Sequence, residues 1–322
     1  MRTAESKEMN MRIFSRLPRI PTGKIIRLAF CVVLALMLAD GAASTSGVGT
    51  ARAAFPGENG KIAFIRDSGS DAHIFTINPD GSELTKIYTT PRHDGSPAWS
   101  ADGQKLAFDG LRNGNWDVYT IYADGSHLKR ITTSSAGDFS PSWSPNGERI
   151  AFFRQRGERG PNTVCQSCIY TIKADGTGSK RLTAHRGFTS DPAWSPNGKK
   201  IAFSNGNIYK MNSADGTNKR NLTKTSKIYE NEPNWSPDGK KIAFSTQNPN
   251  TGDLNVHTMN ADGTNQKKRT GRAGGWAPAW SPDGTKIAFL RGYHIYKMNP
   301  NGTGIRKLTS QYSDVPDWQP LP

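Results

Sequence analysis

Residues that usually carry catalysis or bind metal are scarce in this chain of 322 residues. There are only three cysteines and six histidines, and the histidines are scattered without the spacing of a metal-ligand motif. A nucleophile elbow, a zinc-protease helix signature, a phosphate-binding loop and a pair of catalytic carboxylates are all missing from the sequence. The sequence therefore predicts a protein that is not an enzyme, with no catalytic residues, no metal ligands and no cofactor.

Long apolar runs are also missing, with one exception near the N-terminus. Residues 28–39 form an apolar stretch of twelve, too short to span a bilayer, and basic residues precede it. A small-residue cleavage site ends at Ala53, and an alternative one ends at Ala43. We predict a signal peptide over residues 1–53 and an exported domain over residues 54–322. This domain would be periplasmic or secreted, without a membrane span after processing.

Acidic residues are outnumbered, since 42 Lys and Arg against 27 Asp and Glu give a formal net charge of +15. Basic pairs recur at intervals, as at Lys129-Arg130 and Lys180-Arg181. On outer strands such pairs protect edges from pairing with other chains, or they form a surface that attracts anionic wall polymers or acidic proteins. A nucleic-acid partner is not expected, because the charge is spread along the chain rather than gathered in one groove.

The chain does contain one short pattern in six copies. A full copy reads Pro-x-Trp-Ser-Pro-Asp-Gly, an Ile-Ala-Phe strand, an Ile-Tyr strand, an Ala-Asp-Gly turn and a Leu-Thr strand. Its tryptophans are Trp99, Trp143, Trp194, Trp235, Trp280 and Trp318. Short apolar runs bounded by turn residues indicate buried strands. A period of ~40–50 residues is typical of four-stranded β-propeller blades.

The first and last copies of the pattern are incomplete in complementary ways. The last one, around Trp318, has no strands after it, and the first one, residues 59–81, has no Trp strand before it. We therefore predict an all-β fold, a six-bladed β-propeller of four-stranded antiparallel blades. A composite blade formed from both ends of the chain would close it and remove exposed edges. We expect a monomer.

In the order of its motifs, the repeat resembles the WD40-like (PD40) repeat of TolB-type six-bladed propellers. The resemblance covers residues 55–322 and rests on the Trp-Ser-Pro-Asp-Gly, Ile-Ala-Phe, Ile-Tyr, Ala-Asp-Gly and Leu-Thr elements. It implies the propeller fold. Function has to be argued from the site, because propellers carry many unrelated activities.

Acidic residues recur just before the Pro-x-Trp motif, where the inner strand of a blade would begin at the mouth of a central channel. These acids are Asp94, Asp138, Asp191, Glu230, Glu232 and Asp314. The same face should carry aromatic and basic loop residues, namely Trp116, Trp276, Tyr293, Arg112 and Arg291. The acids either cap turns and bind loop backbone, or form a site for a cation or for a basic or hydroxyl-rich ligand. A divalent cation in the channel is the one cofactor that this arrangement would allow.

Cys165 and Cys168 lie at the end of the longest loop within a blade. Outside the cytoplasm, such a pair is expected to form a small disulfide. A redox motif would need a helix N-terminus to lower the thiol pKa, and here a strand follows. A zinc site would need further ligands with matching spacing. We therefore predict a disulfide between these two cysteines.

Together, these features predict an exported, non-enzymatic TolB-like propeller that binds a protein or a cell-envelope polymer through its loop face, because binding residues concentrate on loops held by a rigid scaffold. The alternative is a propeller hydrolase or lyase that acts on a carbohydrate or lactone with a divalent metal in the channel. The missing cluster of histidines and acids favours the binding protein.

Overall fold

Strands make up all of the regular structure in the computed structural model, which describes residues 52–67, 71–88, 93–155, 166–184 and 188–322. The predicted signal segment up to residue 51 and Cys165 lie outside these residues. In the described part of the chain, no helix is long and apolar enough to cross a membrane.

The strands follow one another in short succession along the chain. The first twelve are β1 (Arg52–Ala53), β2 (Glu58–Asp67), β3 (Ala72–Ile77), β4 (Thr85–Lys86), β5 (His93–Trp99), β6 (Lys105–Arg112), β7 (Asn115–Tyr122), β8 (Lys129–Arg130), β9 (Gly137–Trp143), β10 (Arg149–Gln155), β11 (Ser167–Lys173) and β12 (Lys180–Arg181). The remaining strands are β13 (Ser190–Trp194), β14 (Lys200–Asn205), β15 (Asn207–Asn212), β16 (Arg220–Asn221), β17 (Tyr229–Trp235), β18 (Lys241–Gln247), β19 (Leu254–Asn260), β20 (Lys267–Lys268), β21 (Trp276–Trp280), β22 (Ile287–Arg291), β23 (His294–Met298), β24 (Arg306–Lys307) and β25 (Asp314–Leu321).

The chain folds as an all-β propeller of four-stranded antiparallel blades, as the repeat predicts. Three sheets have the strand orders β12-β11-β10-β9, β13-β14-β15-β16 and β21-β22-β23-β24. A fourth contains β17-β18-β19-β20, with β1 added in parallel beside β17. In each of these blades the strand that ends in tryptophan comes first. We call these Trp-bearing strands the first strands; they are β5, β9, β13, β17, β21 and β25.

The remaining sheet has eight strands and joins the last strand of the chain, β25, to β2. Its order is β25-β2-β3-β5-β6-β7-β8, with β4 also paired to β3. β25 pairs antiparallel with β2, and Trp318 lies opposite Ile62. A single parallel pair, Ala72 with His93, joins β3 to β5. Each first strand lies beside the next one along the chain, and β25 lies beside β5.

The residues of the repeat explain why each blade has this shape. The Ile-Ala-Phe runs form second strands whose side chains are buried, and Phe108, Phe152 and Phe244 are fully inaccessible to solvent. The fourth strands have only two residues. The threonine that follows continues the pairing with its side chain, because Oγ1 of Thr183 accepts a hydrogen bond from the Ile169 amide at 2.8 Å. The threonines that follow β8, β16, β20 and β24 make the same contact, which accounts for the Leu-Thr motif.

Every first strand contains a β-bulge at the residue before its proline. These residues have φ between 45° and 57°, in the left-handed region that residues other than glycine rarely adopt. They are Ser96, Ser140, Asp191, Glu232, Ala277 and Val315. The pairing register shifts at this point in all six first strands. A bulge bends a strand and redirects its side chains, so it sets where the residues at the start of each first strand lie.

The segment before β2 packs against first strands as well. β1 pairs in parallel with β17, with Arg52 opposite Asn234 and Ala53 opposite Trp235. The next two residues, Ala54 and Phe55, are buried within hydrophobic clusters of the propeller. Residues directly after the predicted cleavage site therefore belong to the core.

Candidate functional site

The propeller has two different faces, which follow from the antiparallel order of the strands. The starts of the first strands and the turns between second and third strands lie at one end of the sheets, which we call the mouth face. The Ser-Pro-Asx-Gly turns lie at the other end, which we call the turn face. All six predicted acids lie in first strands. The predicted aromatic and basic residues lie near the same face, on β6, β7, β21, β22 and the turn after β22.

Asp94 lies in a buried cluster with an arginine and a tyrosine. Its Oδ1 accepts a hydrogen bond from Nη2 of Arg112 at 2.7 Å, and its Oδ2 accepts one from the Tyr88 hydroxyl at 2.5 Å. The Asp94 side chain is 1% exposed. Burial raises the pKa of Asp94, although the Arg112 charge opposes the shift. Two predicted site residues are thus paired with each other, in a position that solvent does not reach.

Asp138 makes a similar ion pair with a residue that the sequence did not single out. Arg154 donates to both carboxylate oxygens, from Nε at 2.6 Å and from Nη2 at 2.9 Å. Burial raises the pKa of Asp138, while these hydrogen bonds lower it. The bidentate geometry satisfies the carboxylate, because the planar guanidinium matches it in shape.

The position of Arg154 in the repeat could have revealed its role. Three arginines lie two residues after the phenylalanine of the Ile-Ala-Phe strand: Arg66, Arg154 and Arg291. Each guanidinium carbon lies 4.8–5.4 Å from the centre of an aromatic ring on the third strand of its blade. Such cation–π contacts fix the arginine side chain. Arg291 also donates from Nε to the Gly274 carbonyl at 2.9 Å, which holds the strand start beside it.

Asp191 and Glu232 form an electrostatically coupled acidic pair on the neighbouring first strands β13 and β17. Oε2 of Glu232 accepts hydrogen bonds from the Ser245 hydroxyl at 2.5 Å and from the Ala277 amide at 2.9 Å. Oδ2 of Asp191 accepts one from the Ser190 hydroxyl at 2.9 Å. The Ala277 amide belongs to the bulge of the next first strand. Glu232 therefore connects its own strand to the following blade.

Burial controls the protonation of these two acids. It raises the pKa of Asp191 to about 6. It also raises the pKa of Glu232 to about 8, and the nearby charges of Asp191 and Asp314 add to the shift. At neutral pH, Glu232 is thus mainly protonated, and the pair carries about one negative charge rather than two.

Glu230 is a further buried acid of the first strand β17. Its side chain is 2% exposed, and Oε2 has no hydrogen-bond partner among the described residues. Burial raises its pKa to about 7, although hydrogen bonds with Thr223 and Thr225 act in the opposite direction. This carboxyl group changes charge near neutral pH.

The mouth face also carries a cluster of partly exposed aromatic rings, which we call the aromatic cluster. It consists of Trp276, Tyr293 and Tyr312. The Trp276 and Tyr293 rings meet edge-on with their centres 5.7 Å apart, and the Tyr293 and Tyr312 rings stack with their centres 4.8 Å apart. The sequence pointed to the first two, and it missed Tyr312 because that residue lies in a loop outside the repeat motif. Trp116, also predicted, packs separately against Phe139 at 5.6 Å.

Only one cysteine of the predicted pair lies within the described residues. Cys168 is buried and disulfide-bonded, while Cys165 lies outside the described residues. Within the described ranges, no three His, Cys, Asp or Glu residues are grouped so that they could hold a metal ion. The mouth face thus offers aromatic surface for contact with a ligand, whereas five of its six predicted acids are buried.

These blades and their repeated Trp-Ser-Pro-Asx-Gly turns define a β-propeller of the TolB type. The PD40 family model, described as the TolB beta propeller domain, matches residues 39–164 and 161–270. The chain belongs to this family. Among curated proteins, no significant match to the chain exists.

Solved structures with the same fold come from proteins of different function. TolB from Acinetobacter baumannii is 20% identical, with a TM-score of 0.68 over 94% of this chain and 74% of that one. A chain of the nidogen/laminin complex is 12% identical, with a TM-score of 0.65 over 80% and 98%. Oligogalacturonate lyase from Vibrio parahaemolyticus is 10% identical, with a TM-score of 0.55 over 82% and 79%. At these identities the likeness concerns the fold alone.

Proposed function

We propose that this protein is an exported, non-enzymatic propeller that binds a partner, a protein or a cell-envelope polymer, on its mouth face. The observation that carries the proposal is the aromatic cluster of Trp276, Tyr293 and Tyr312, which stays partly exposed at this face. Rigid aromatic side chains supply a large contact area at a low entropic cost, and they are enriched where proteins bind partners.

The burial of the acids supports binding rather than catalysis. Asp94 and Asp138 are engaged by arginines, and Glu232 holds a backbone amide of the next blade. A catalytic acid or base must come within hydrogen-bond reach of its substrate. These carboxyl groups already bind other residues of this chain. Their role is therefore to shape the mouth face. One of the similar structures is itself a complex of two proteins.

We further propose that the propeller has six blades. The eight-stranded sheet would count as two blades, one of β25-β2-β3-β4 and one of β5-β6-β7-β8. In support, a single parallel residue pair joins the strands of the two halves within the described residues, and each half contains one first strand. Six first strands that lie beside one another in sequence, with β25 beside β5, fit a ring closed by the composite blade.

Export is part of the proposal, and the pairing of β1 bears on where processing occurs. Cleavage after Ala53 would remove β1, whereas cleavage after Ala43 would keep its pairing with β17. The structure therefore favours the second site. Mass spectrometry of the protein recovered outside the cytoplasm should find Ser44 as its first residue. Recovery only in the cytoplasm with an intact N-terminus would contradict export.

The binding proposal is tested by capture from the native cell envelope with matched variants. We expect Trp276→Ala combined with Tyr293→Ala to lose most of the material that the unmodified protein retains. Tyr122→Ala serves as the control, since Tyr122 is 38% exposed and lies at the turn face. Equal capture by all three proteins, with unchanged melting temperatures, would overturn binding through the aromatic cluster.

A further inference from the structure

A cavity of about 420 Å³ opens on the turn face, between the blade of β9–β12 and the blade of β13–β16. One blade contributes Arg149, Thr171 and Lys180 to its wall, and the other contributes the turn around Gly198 and Lys199. Three cationic side chains thus line the cavity, and none of the described residues in its wall is acidic. The volume falls within the range of small-molecule sites.

Arg149 is the unusual residue of this cavity. It is half-buried, and its Nη1 atom is inaccessible to solvent without any hydrogen-bond partner among the described residues. The residue directly opposite on β11 is Lys173, a second cation. Like charges placed opposite each other on neighbouring strands destabilise a sheet. The guanidinium therefore has an unmet hydrogen-bonding capacity in a positive environment.

Two other blades show a partner for the cation at the position of Arg149. Lys200 donates to Oδ1 of Asn212 at 2.5 Å, and Lys286 donates to Oδ1 of Asn299 at 2.6 Å. In both cases an asparagine occupies the place that Lys173 takes in the blade of Arg149. The replacement of the asparagine by lysine removes the acceptor and adds positive charge, which leaves Arg149 without the partner that its counterparts have.

The cavity also depends on a small residue at position 171. Two other blades have a lysine there, and Lys210 and Lys297 each reach across to a carbonyl oxygen of the next blade, at 2.7 Å. In the blade of Arg149 this bridge comes from the fourth strand instead, since Lys180 donates to the Ala214 carbonyl at 2.8 Å. Thr171 therefore leaves open space beside the guanidinium.

We propose that this turn-face cavity binds an oxyanion, a phosphate or sulfate group that is either free or ester-linked to a small molecule. Arg149 is the main ligand, because its planar fork matches the oxygen atoms of such a group. Lys180 and Lys199 add positive charge at the rim. The bound group supplies the acceptor that Arg149 lacks and relieves its repulsion with Lys173.

Calorimetric titration of the purified protein with inorganic phosphate, sulfate and glycerol 3-phosphate tests this site, at an ionic strength held constant with chloride. We expect saturable binding of at least one of these anions. Binding of the inorganic ions indicates a free anion, and binding of the ester alone indicates an ester-linked ligand. Absence of saturable binding for all three would overturn the proposal.

Three variants make the assignment specific. Arg149→Gln should weaken binding about tenfold or more, because a hydrogen-bonded ion pair is lost. Lys173→Asn should weaken it too, since it restores the asparagine of the other blades and gives Arg149 a protein partner. Lys286→Gln removes the equivalent cation of another blade and should leave binding unchanged. The site would be contradicted if Lys173→Asn bound the anion as tightly as the unmodified protein. It would also be contradicted if Lys286→Gln lost as much affinity as Arg149→Gln.

Discussion

At the scale of single residues, burial determines what the acids of the mouth face can do. Glu232 carries a proton at neutral pH because burial raises its pKa to about 8, with help from Asp191 and Asp314. Asp94 and Asp138 differ from it, because each has an arginine in contact that opposes the effect of burial. Carboxyl groups near the starts of the first strands thus have different electrostatic surroundings.

The protonation of Glu232 makes the stability of the fold depend on pH. Its pKa in the folded protein lies above the ordinary value of 4.5, so folding favours the protonated form. Its contribution to stability is fully present below about pH 4.5 and is lost as the pH rises through about 8. Glu232→Gln keeps the shape and the acceptor oxygen of the side chain, and it should flatten this decline. The variant should therefore be more stable than the unmodified protein at pH 8.

Thermal melts between pH 5 and pH 8, followed by circular dichroism, measure this difference. The exposed residue Glu148 provides a control, and Glu148→Gln should leave the pH dependence as it is. Parallel curves for Glu232→Gln and the unmodified protein would show that Glu232 does not titrate as described.

The sequence could predict where the acids lie but not what they touch. Asp94 and Asp138 were found because they precede the Pro-x-Trp motif by a constant distance. Their partners, Arg112 and Arg154, come from different positions of the second strand. Which arginine reaches which carboxylate depends on strand length and on the bulge, and neither is encoded by a local motif.

At the scale of strands, a repeated hydrogen bond links neighbouring first strands at every second junction: β9 to β13, β17 to β21 and β25 to β5. The residue between Pro and Trp is polar in three of them and alanine in the other three. Oδ1 of Asn234 accepts from the Trp280 amide at 2.8 Å, and Oδ2 of Asp317 accepts from the Trp99 amide at 2.7 Å. Ser142 makes the corresponding contact with the Trp194 amide at 3.3 Å.

Removal of one of these acceptors should destabilise the propeller. Asn234→Ala leaves the buried Trp280 amide without its acceptor, which costs about 1–3 kcal/mol. For a domain of this size, the melting temperature should fall by roughly 2–4 °C for each kcal/mol. Asn234→Ser, which copies Ser142, should recover part of the loss. Equal melting temperatures for the alanine variant and the unmodified protein would show that the link contributes nothing.

The bulges are the element that the sequence could not predict. The residues with positive φ are as different as Ser96, Ala277 and Val315, and none of them favours the left-handed region. The following proline makes this backbone less expected still. We attribute this left-handed backbone to the packing of neighbouring first strands against one another. The strands themselves were predictable, because the apolar runs and turn residues are local signals repeated in each copy.

At the scale of the whole molecule, β25 connects the C-terminal end of the chain to β2, near the start of the described residues. It pairs with β2, buries Trp318 and binds the first strand of another repeat through Asp317. Deletion of residues 313–322 should expose the edge of β2 and abolish cooperative folding, because β2 loses the strand that pairs with it. Circular dichroism melts and size-exclusion chromatography would report this. A truncated monomer with an unchanged melting transition would contradict closure by β25.

In our proposal the two faces differ in function, and the partner binds at the mouth face. Hydrogen–deuterium exchange of the protein, alone and with the component captured from the envelope, tests it most directly. We predict protection of the peptides that contain the aromatic cluster, Trp276, Tyr293 and Tyr312, and little change in the turns around Gly147 and Gly198. Protection confined to those turns, with the aromatic cluster exchanging as in the free protein, would contradict it.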